Sequence, residues 1–482
     1  MRIRTIGACV IALAVGGALA GCPAFPGDLC RDGFCDSTVD GGGSSSGSSD
    51  AKDDRPTIDA PPGCDLTKDP KDSPACIDDA VGIFVSPTGS DGATGAKGAP
   101  VKTIGKALSI AGPKRVYVCE GSYEGFELKT GTTIAGGFAC ADWKYTGTKP
   151  KVEGTDGAKP TVDVAASGAL LLDLEINGPA KGVPNSVAVR AVDSTATLRR
   201  VKLSAGEGAD GADGVRTDFT YPTQTQLDGN NADMGNGGLE KSFTCPGSAI
   251  TKGGKGGDNG FGGADGLPAL GDGKGGDNSN CASGGTGSNG RGGTTPSPVD
   301  GAKVLGTIVA TAWVAQVGGN GGNGGPGQGG GGGYGSGGGG GGGGGAGGCG
   351  GAGGPGGKGG GASIALLSIN STLTLETSSL NSSKAGNGGK GAAGQAGQTI
   401  FGIRGVGAGL GCNGGSGGKG GDGAAGGGGA GGLSAALLYT KTKPTLKDTT
   451  TSAGTAGSAG VGGVPSTNDG VAGDSKTELE IK

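Results

Sequence analysis

The chain has 482 residues, 122 of them glycine, with 4% aromatic and 33% hydrophobic residues, which leaves apolar material for one modest core rather than several globular domains. The net charge is −4 and histidine is absent, which excludes the basic footprint of a nucleic-acid partner and removes the commonest general base. Bias of this kind usually marks low complexity, yet here strand-like and glycine-rich segments alternate along the chain.

The N-terminus, MRIRTIGACVIALAVGGALAGC, sets Arg2 and Arg4 ahead of an apolar run from Ile6 to Leu19, too short for a stop-transfer helix and arranged as a signal peptide over residues 1–21. Its ending, Leu19-Ala20-Gly21-Cys22, resembles the bacterial lipobox. That resemblance implies cleavage between Gly21 and Cys22, acylation of the Cys22 thiol, export, and anchoring to the bacterial membrane, at the outer membrane or cell surface; an ordinary secretory signal is the alternative. Of the 12 cysteines, Cys9 falls in the signal and Cys22 takes the lipid. The even remainder, in an oxidising compartment, reads as disulfides. Proximity suggests Cys30 with Cys35, Cys64 with Cys76, Cys119 with Cys140, Cys245 with Cys281, and Cys349 with Cys412. A zinc site is the competing reading and lacks both CxxC knuckles and histidine, so no metal or cofactor is expected.

Residues 22–63 follow the lipid as a Ser/Gly/Asp/Pro tether with almost nothing to bury. From residue 64 to 205 the texture is that of a folded body: a strand, a Gly-rich loop, a short helix with Ile104, Ala107 and Leu108 on one face, then strands at regular spacing. The order FVSPTGSDG, PVKTIGKAL, RVYVCEGSYEG resembles the entry of right-handed parallel β-helix proteins, which implies an all-β solenoid whose first coil is capped by that helix.

An internal repeat supports the solenoid. SVAVRAVDSTATL (186–198), SIALLSINSTLTL (363–375) and SAALLYTKTKPTL (434–446) align without gaps, and each is followed by a strand and then by glycine-rich sequence. A weaker member, VLGTIVATAWVAQV from Val304, predicts one more coil over 299–317. Coils are therefore expected at 299–317, 362–384 and 433–482, with arms at 206–298, 318–361 and 385–432 leaving one shared corner. Stacked coils bring such arms side by side. In GGNGGNGG (318–325) two of every three residues are glycine, matching the three-residue turn of a polyproline-II-like helix, so the arms form either a polyglycine-II-like lateral bundle or disordered loops.

Aligning LLDLEI (171–176) with LRRVKL (198–203) places Leu171, Leu174 and Ile176 over Leu198, Val201 and Leu203 in the core. It places Asp173 over Arg200 and Glu175 over Lys202 outside, as a solvent-exposed ion-pair ladder. Thr377, Ser379, Asp448 and Thr450 continue it. A glycosidase needs two carboxylates across a sugar, one with a raised pKa; these acids are matched by cations, so no catalytic residues are assigned and the enzyme reading stays second. Asp258, Asp265, Asp272 and Asp277 lack the register of a calcium nonapeptide, and Trp143 and Trp313 read as core rather than sugar platforms.

Signal, tether, β-helix and Gly arms together resemble the Gly-rich, PGRS-type lipoproteins of myxobacteria and relatives. Activity in that group is largely unassigned, so the function is read from the residues: a long, regular surface with no assembled active site points to a lipid-anchored envelope or surface protein with a structural or adhesive rather than enzymatic role, touching the membrane through its lipid and other surface components. A polysaccharide-binding or polysaccharide-degrading β-helix protein is the alternative.

Overall fold

The computed structural model describes residues 58–180 and 182–482; the expectations for Gly21, Cys22, Cys30 and Cys35 lie outside the described residues. Short strands wind into a right-handed parallel β-helix of three sheets, with seven, six and six strands. Within the repeat, each coil lays one strand on the third sheet, one on the first and one on the second. Ser186–Val192, Thr195–Arg199 and Lys202–Ser204 make one such coil, and Ser363–Ile369, Thr372–Glu376 and Ser379–Asn381 the next. The ungapped repeat is also the hydrogen-bond register: Ser186 pairs with Ser363 and Ser363 with Ser434, while Leu198 pairs with Leu375 and Leu375 with Leu446.

The alternation of strand residues decides what is inside. Leu171, Leu174, Ile176, Leu198, Val201 and Leu203 are each at most 1% exposed and belong to one continuous core, each contributing about 1.5–3 kcal/mol by leaving water. The helix Ile104–Ala111 closes the first coil with Ile104, Ala107 and Ala111 turned inward, and the Thr103 hydroxyl accepts the Lys106 amide at 3.1 Å as its N-cap. Two corners turn through left-handed residues. Asp173, Arg200, Thr377 and Asp448 (φ 53°, 55°, 51°, 47°) form one column, and Asp193, Asn370 and Lys441 (φ 47°, 48°, 61°) the other. Each of these costs roughly 1–2 kcal/mol, and the Asp and Asn members are the side chains best suited to it.

The third corner carries the insertions. Residues 205–362, 382–433 and 453–474 all leave a strand of the second sheet and return to the third. One expectation is corrected: 299–317 is not a coil. Gly306–Val309 and Ala312–Ala315 pair antiparallel as a hairpin inside the first insertion. Ala310 and Thr311 both have positive φ (45° and 69°), the two-residue turn that reverses a strand, formed here without the Asn or Gly that usually marks it. Trp313, 3% exposed, packs with Ile364, Leu367 and Leu438 on the outer face of the third sheet.

A column of serines, buried at Ser186, Ser363 and Ser434 and exposed at the terminal Ser475, joins each arm to its coil. Ser186, Ser363, Ser434 and Ser475 are in register at the start of successive third-sheet strands. The Ser363 hydroxyl donates to the Gly206 carbonyl at 2.7 Å and accepts the Ser383 amide at 2.8 Å; the Ser434 hydroxyl donates to the Ser383 carbonyl at 2.8 Å. Removing one such hydroxyl orphans two backbone groups. Ser363→Ala is therefore expected to destabilise the protein by about 1–3 kcal/mol in urea denaturation, whereas a change below 0.5 kcal/mol would contradict this role.

The arms themselves are ordered into a polyglycine-II-like bundle. Gly345, Gly348, Gly351, Gly354 and Gly357 donate their amides to the carbonyls of Gly415, Gly418, Gly421, Ala424 and Gly427. The carbonyls of Gly345, Gly348, Gly351, Gly354 and Gly357 accept from Gly330, Gly327, Gly324, Gly321 and Gly318, and the intervening carbonyls of Cys349, Ala352, Pro355 and Lys358 accept from Gln398, Gln395, Ala392 and Gly389. Every bond repeats at three residues, so each face of the strand serves one neighbour. In 345–360 the only non-glycines are Ala346, Cys349, Ala352, Pro355 and Lys358, one column of three. The other two columns must be bare, because a Cβ on Gly351 or Gly354 would lie 2.0 Å from the carbonyl oxygen of Gln395 or Ala392, and one on Gly350 or Gly353 would lie 1.9 or 2.0 Å from that of Gly324 or Gly321.

Four disulfides lie among the described residues. Cys64–Cys76 and Cys119–Cys140 join near neighbours in sequence as expected, but Cys245 bonds Cys349 and Cys281 bonds Cys412. The pairings of Cys245 with Cys281 and of Cys349 with Cys412 are thus corrected. In a bundle of long reversing arms, lateral neighbours are set by which strands touch and not by distance along the chain.

Candidate functional site

Two regions of the solenoid bring charged side chains together. On the outer face of the third sheet a cleft of about 450 Å³ is lined by Glu124, Glu127, Asp156, Lys159, Asp163 and Arg190. The register stacks Glu127, Asp163 and Arg190 on successive coils. Arg190 grips Asp163 through both carboxylate oxygens, Nε to Oδ1 at 2.9 Å and Nη2 to Oδ2 at 2.5 Å, and this pairing raises the pKa of Arg190. Glu127 pairs with Lys129 at 2.9 Å. The cleft therefore offers a mixed-charge floor with one fixed guanidinium, suited to hydrogen bonding of hydroxyl-rich chains.

The second region is the predicted ladder, and it differs from expectation in burial. Asp173 lies over Arg200 as aligned, with Nε–Oδ1 and Nη2–Oδ2 both 2.8 Å, and Lys202 meets Glu175 at 2.9 Å. Asp173, however, is only 3% exposed, so this rung is buried rather than solvated. It is covered by a segment that the alignment did not include. Asp69, from the loop closed by Cys64–Cys76, bridges Arg199 at 2.7 Å and Arg200 at 2.9 Å, and the Tyr145 hydroxyl donates to Asp173 at 3.0 Å. Arg199 continues to Glu376 at 2.6 Å, and Glu376 to Lys447 at 3.2 Å. The same N-terminal segment roofs an aromatic cluster of Phe84, Tyr117, Phe138 and Trp143 on the outer face of the first sheet. Burial pushes the Tyr117 phenol up to about 12, and its hydroxyl donates to the Cys76 carbonyl at 2.6 Å.

Hydrogen bonds from Arg199 and then Lys447 hold the Glu376 carboxyl below the ordinary glutamate range. A depressed folded-state pKa contributes stability above the unfolded value and loses it as pH falls through the folded one. Glu376→Gln is accordingly expected to flatten the acid limb of stability below pH 4.5; an unchanged acid limb in urea midpoints measured against pH would reject the linkage.

The remaining sequence candidates separate. Trp143 and Trp313 are 6% and 3% exposed and fill apolar clusters, so neither presents a stacking face. Asp258 is bound by Lys255 and the Gly237 amide, and Asp265 by Lys274 and the Gly275 amide. No group of three or more His, Cys, Asp or Glu side chains suited to a metal occurs among the described residues. Thr377 and Asp448 serve as left-handed corner residues.

One recurrent role was missed at the level of sequence. Asn and Asp side chains in the arms accept the amides left free by the three-residue pattern: Asp210 from Asn387, Asp213 from Lys390, Asn320 from Gly356 and Asn323 from Gly353, at 2.7–2.9 Å. Their three-residue spacing was visible in GADGADG and GGNGGNGG and is the signal that could have found them. Compared with known proteins, the chain matches no family model, no curated protein and no solved structure.

Proposed function

We propose that this chain is a lipid-anchored cell-envelope protein of the Gly-rich PGRS type, acylated at Cys22 and held at the bacterial surface by its tether, with a structural or adhesive role. The observation that carries this reading is the bundle: three insertions from one corner, hydrogen-bonded to one another through bare backbone, the first closed on itself by Cys245–Cys349 and tied to the second by Cys281–Cys412. Such construction orders a large polar surface without a conventional core, which suits display better than turnover. Metabolic labelling with a palmitate analogue should mark the wild-type chain and not Cys22→Ser, and a deletion strain should lose adhesion or envelope integrity. A labelled Cys22→Ser chain, or a deletion strain unchanged in both respects, defeats the proposal.

A second reading rests on the mixed-charge cleft around Arg190, which fits a polysaccharide. Glycan-array binding that Arg190→Ala abolishes would support it. Release of reducing or unsaturated sugars would make it an enzyme.

A further inference from the structure

The end of the bundle remote from the solenoid includes four chain reversals, each containing a glycine of positive φ: Gly235, Gly260, Gly337 with Gly338, and Gly409. Hydrogen bonds lock them together. Asn259 donates to the Gly235 carbonyl at 3.1 Å, Gly335 to that of Phe261 at 3.0 Å, Gly340 to that of Asp233 at 3.2 Å, and Ala408 to that of Gly340 at 2.9 Å. Leu410 lies over Gly337, where an added Cβ would come within 2.6 Å of its Cδ1, and the Met234 sulfur is 3.5 Å from the corresponding position on Gly409. Two residues beyond Leu410, Cys412 is bonded to Cys281.

Turns at such a position are ordinarily polar. Here three of them present Met234, Phe261 and Leu410, which are 71%, 69% and 71% exposed. Apolar side chains on separate turns of one rigid end form a convex cap rather than a groove, and their backbones are already hydrogen-bonded within the bundle. At about seven-tenths exposure the three present roughly 400 Å², about half of what each partner buries in a specific protein complex. A bilayer needs no matching surface and accepts side chains of this kind at its headgroup and acyl boundary. The charges beside these turns include Asp233, Asp258 and Asp277, with Lys255 paired to Asp258, so the cap has no excess of cations for anionic lipid.

We propose that this cap inserts Met234, Phe261 and Leu410 into the interface of a lipid bilayer, giving the protein a membrane contact at the end of the bundle. The inference deepens the adhesive reading above, and its test removes the acyl anchor so that the two fail separately. Full-length Cys22→Ser protein is mixed with phosphatidylcholine vesicles, with and without phosphatidylglycerol, and the bound fraction is read by flotation. Binding to pure phosphatidylcholine is expected, undiminished by 0.5 M salt and not strengthened by the anionic lipid. The added triple substitution Met234→Ser, Phe261→Ser, Leu410→Ser, all on exposed turns, should weaken binding at least tenfold while leaving the thermal midpoint and the Cys281–Cys412 bond intact. Absence of vesicle binding by the Cys22→Ser chain, or equal binding by the triple variant, overturns the proposal. So does a concentration-dependent dimer in sedimentation that the triple variant abolishes, which would make the cap an interface between copies. If the triple variant loses its bundle, Leu410→Asn alone, compared with Leu239→Asn elsewhere on the surface, decides the matter: only the former should weaken binding. Equal effects of the two overturn it as well.

Discussion

Gly354→Val is expected to disrupt the glycine bundle while leaving the solenoid folded. The substituted Cβ would lie 2.0 Å from the Ala392 carbonyl oxygen and 2.7 Å from its carbon, both backbone atoms in a strand that is itself held by Gly426 and Pro355. Neither can turn aside as a flexible side chain would. The strands must separate, and the three-residue ladder on both sides of 386–398 loses its spacing. Overpacking of this kind costs about 1–3 kcal/mol in an ordinary core. Here the broken backbone bonds add to it, so a loss of about 3 kcal/mol or more is expected, together with faster amide exchange confined to the arms. Gly105→Ala supplies the control. It lies in the capping helix, with nothing within 4 Å of the added carbon, and should stabilise by roughly 0.5–1 kcal/mol. Retention of slow exchange at 386–398 in Gly354→Val would show that the close backbone approach does not hold the bundle.

The second large effect is expected at Arg200. Its guanidinium is the main partner of Asp173, and replacement by methionine leaves a carboxylate 3% exposed with only the Tyr145 hydroxyl beside it. It also frees Asp69 from one of its two arginines. Breaking a buried pair from one side typically costs about 3–5 kcal/mol, and Arg200→Met should fall in that range by chemical denaturation. Asp173→Asn in the same chain removes the stranded charge while keeping a side chain that tolerates the left-handed corner, and should restore a substantial part of the loss. A double-mutant cycle with no coupling between the two positions would contradict the assignment. Arg200 also fastens the disulfide loop to the first sheet, so Arg200→Met should expose the aromatic cluster under that loop to fluorescence quenchers.

Much of the solenoid was legible because its information is carried by side chains. The alternation in LLDLEI and LRRVKL assigns inside and outside, and the thirteen-residue repeat fixes which residues stack, so Leu198 over Leu171 and Lys202 over Glu175 follow without coordinates. The shared exit corner was legible for the same reason. The buried state of the Asp173 rung was not, since its cover comes from Asp69, distant in sequence and carrying no pattern. The hairpin at 306–315 was misassigned because its strands are as apolar as a coil and its turn, Ala310-Thr311, carries no turn signal. The bundle shows a deeper limit. A strand of glycines reports through its period that it packs closely on two faces, but having no side chains it cannot report against which strand, and the pairings of Cys245 and Cys281 were lost with that information.

The columns of the bundle also explain where it stops. A packing built from bare backbone offers no chemical distinction between a strand of the same chain and a glycine-rich strand from any other, and would extend indefinitely by recruiting copies. Ile400, Ile403 and Val406 stand at successive third positions on the arm 385–408 and are 49%, 49% and 55% exposed. Asp210 and Asp213 do the same on the arm beside it, where each caps an amide of its neighbour. Side chains there hold any further glycine helix beyond hydrogen-bonding reach, so the outermost residues act as terminators of a lattice that would otherwise polymerise.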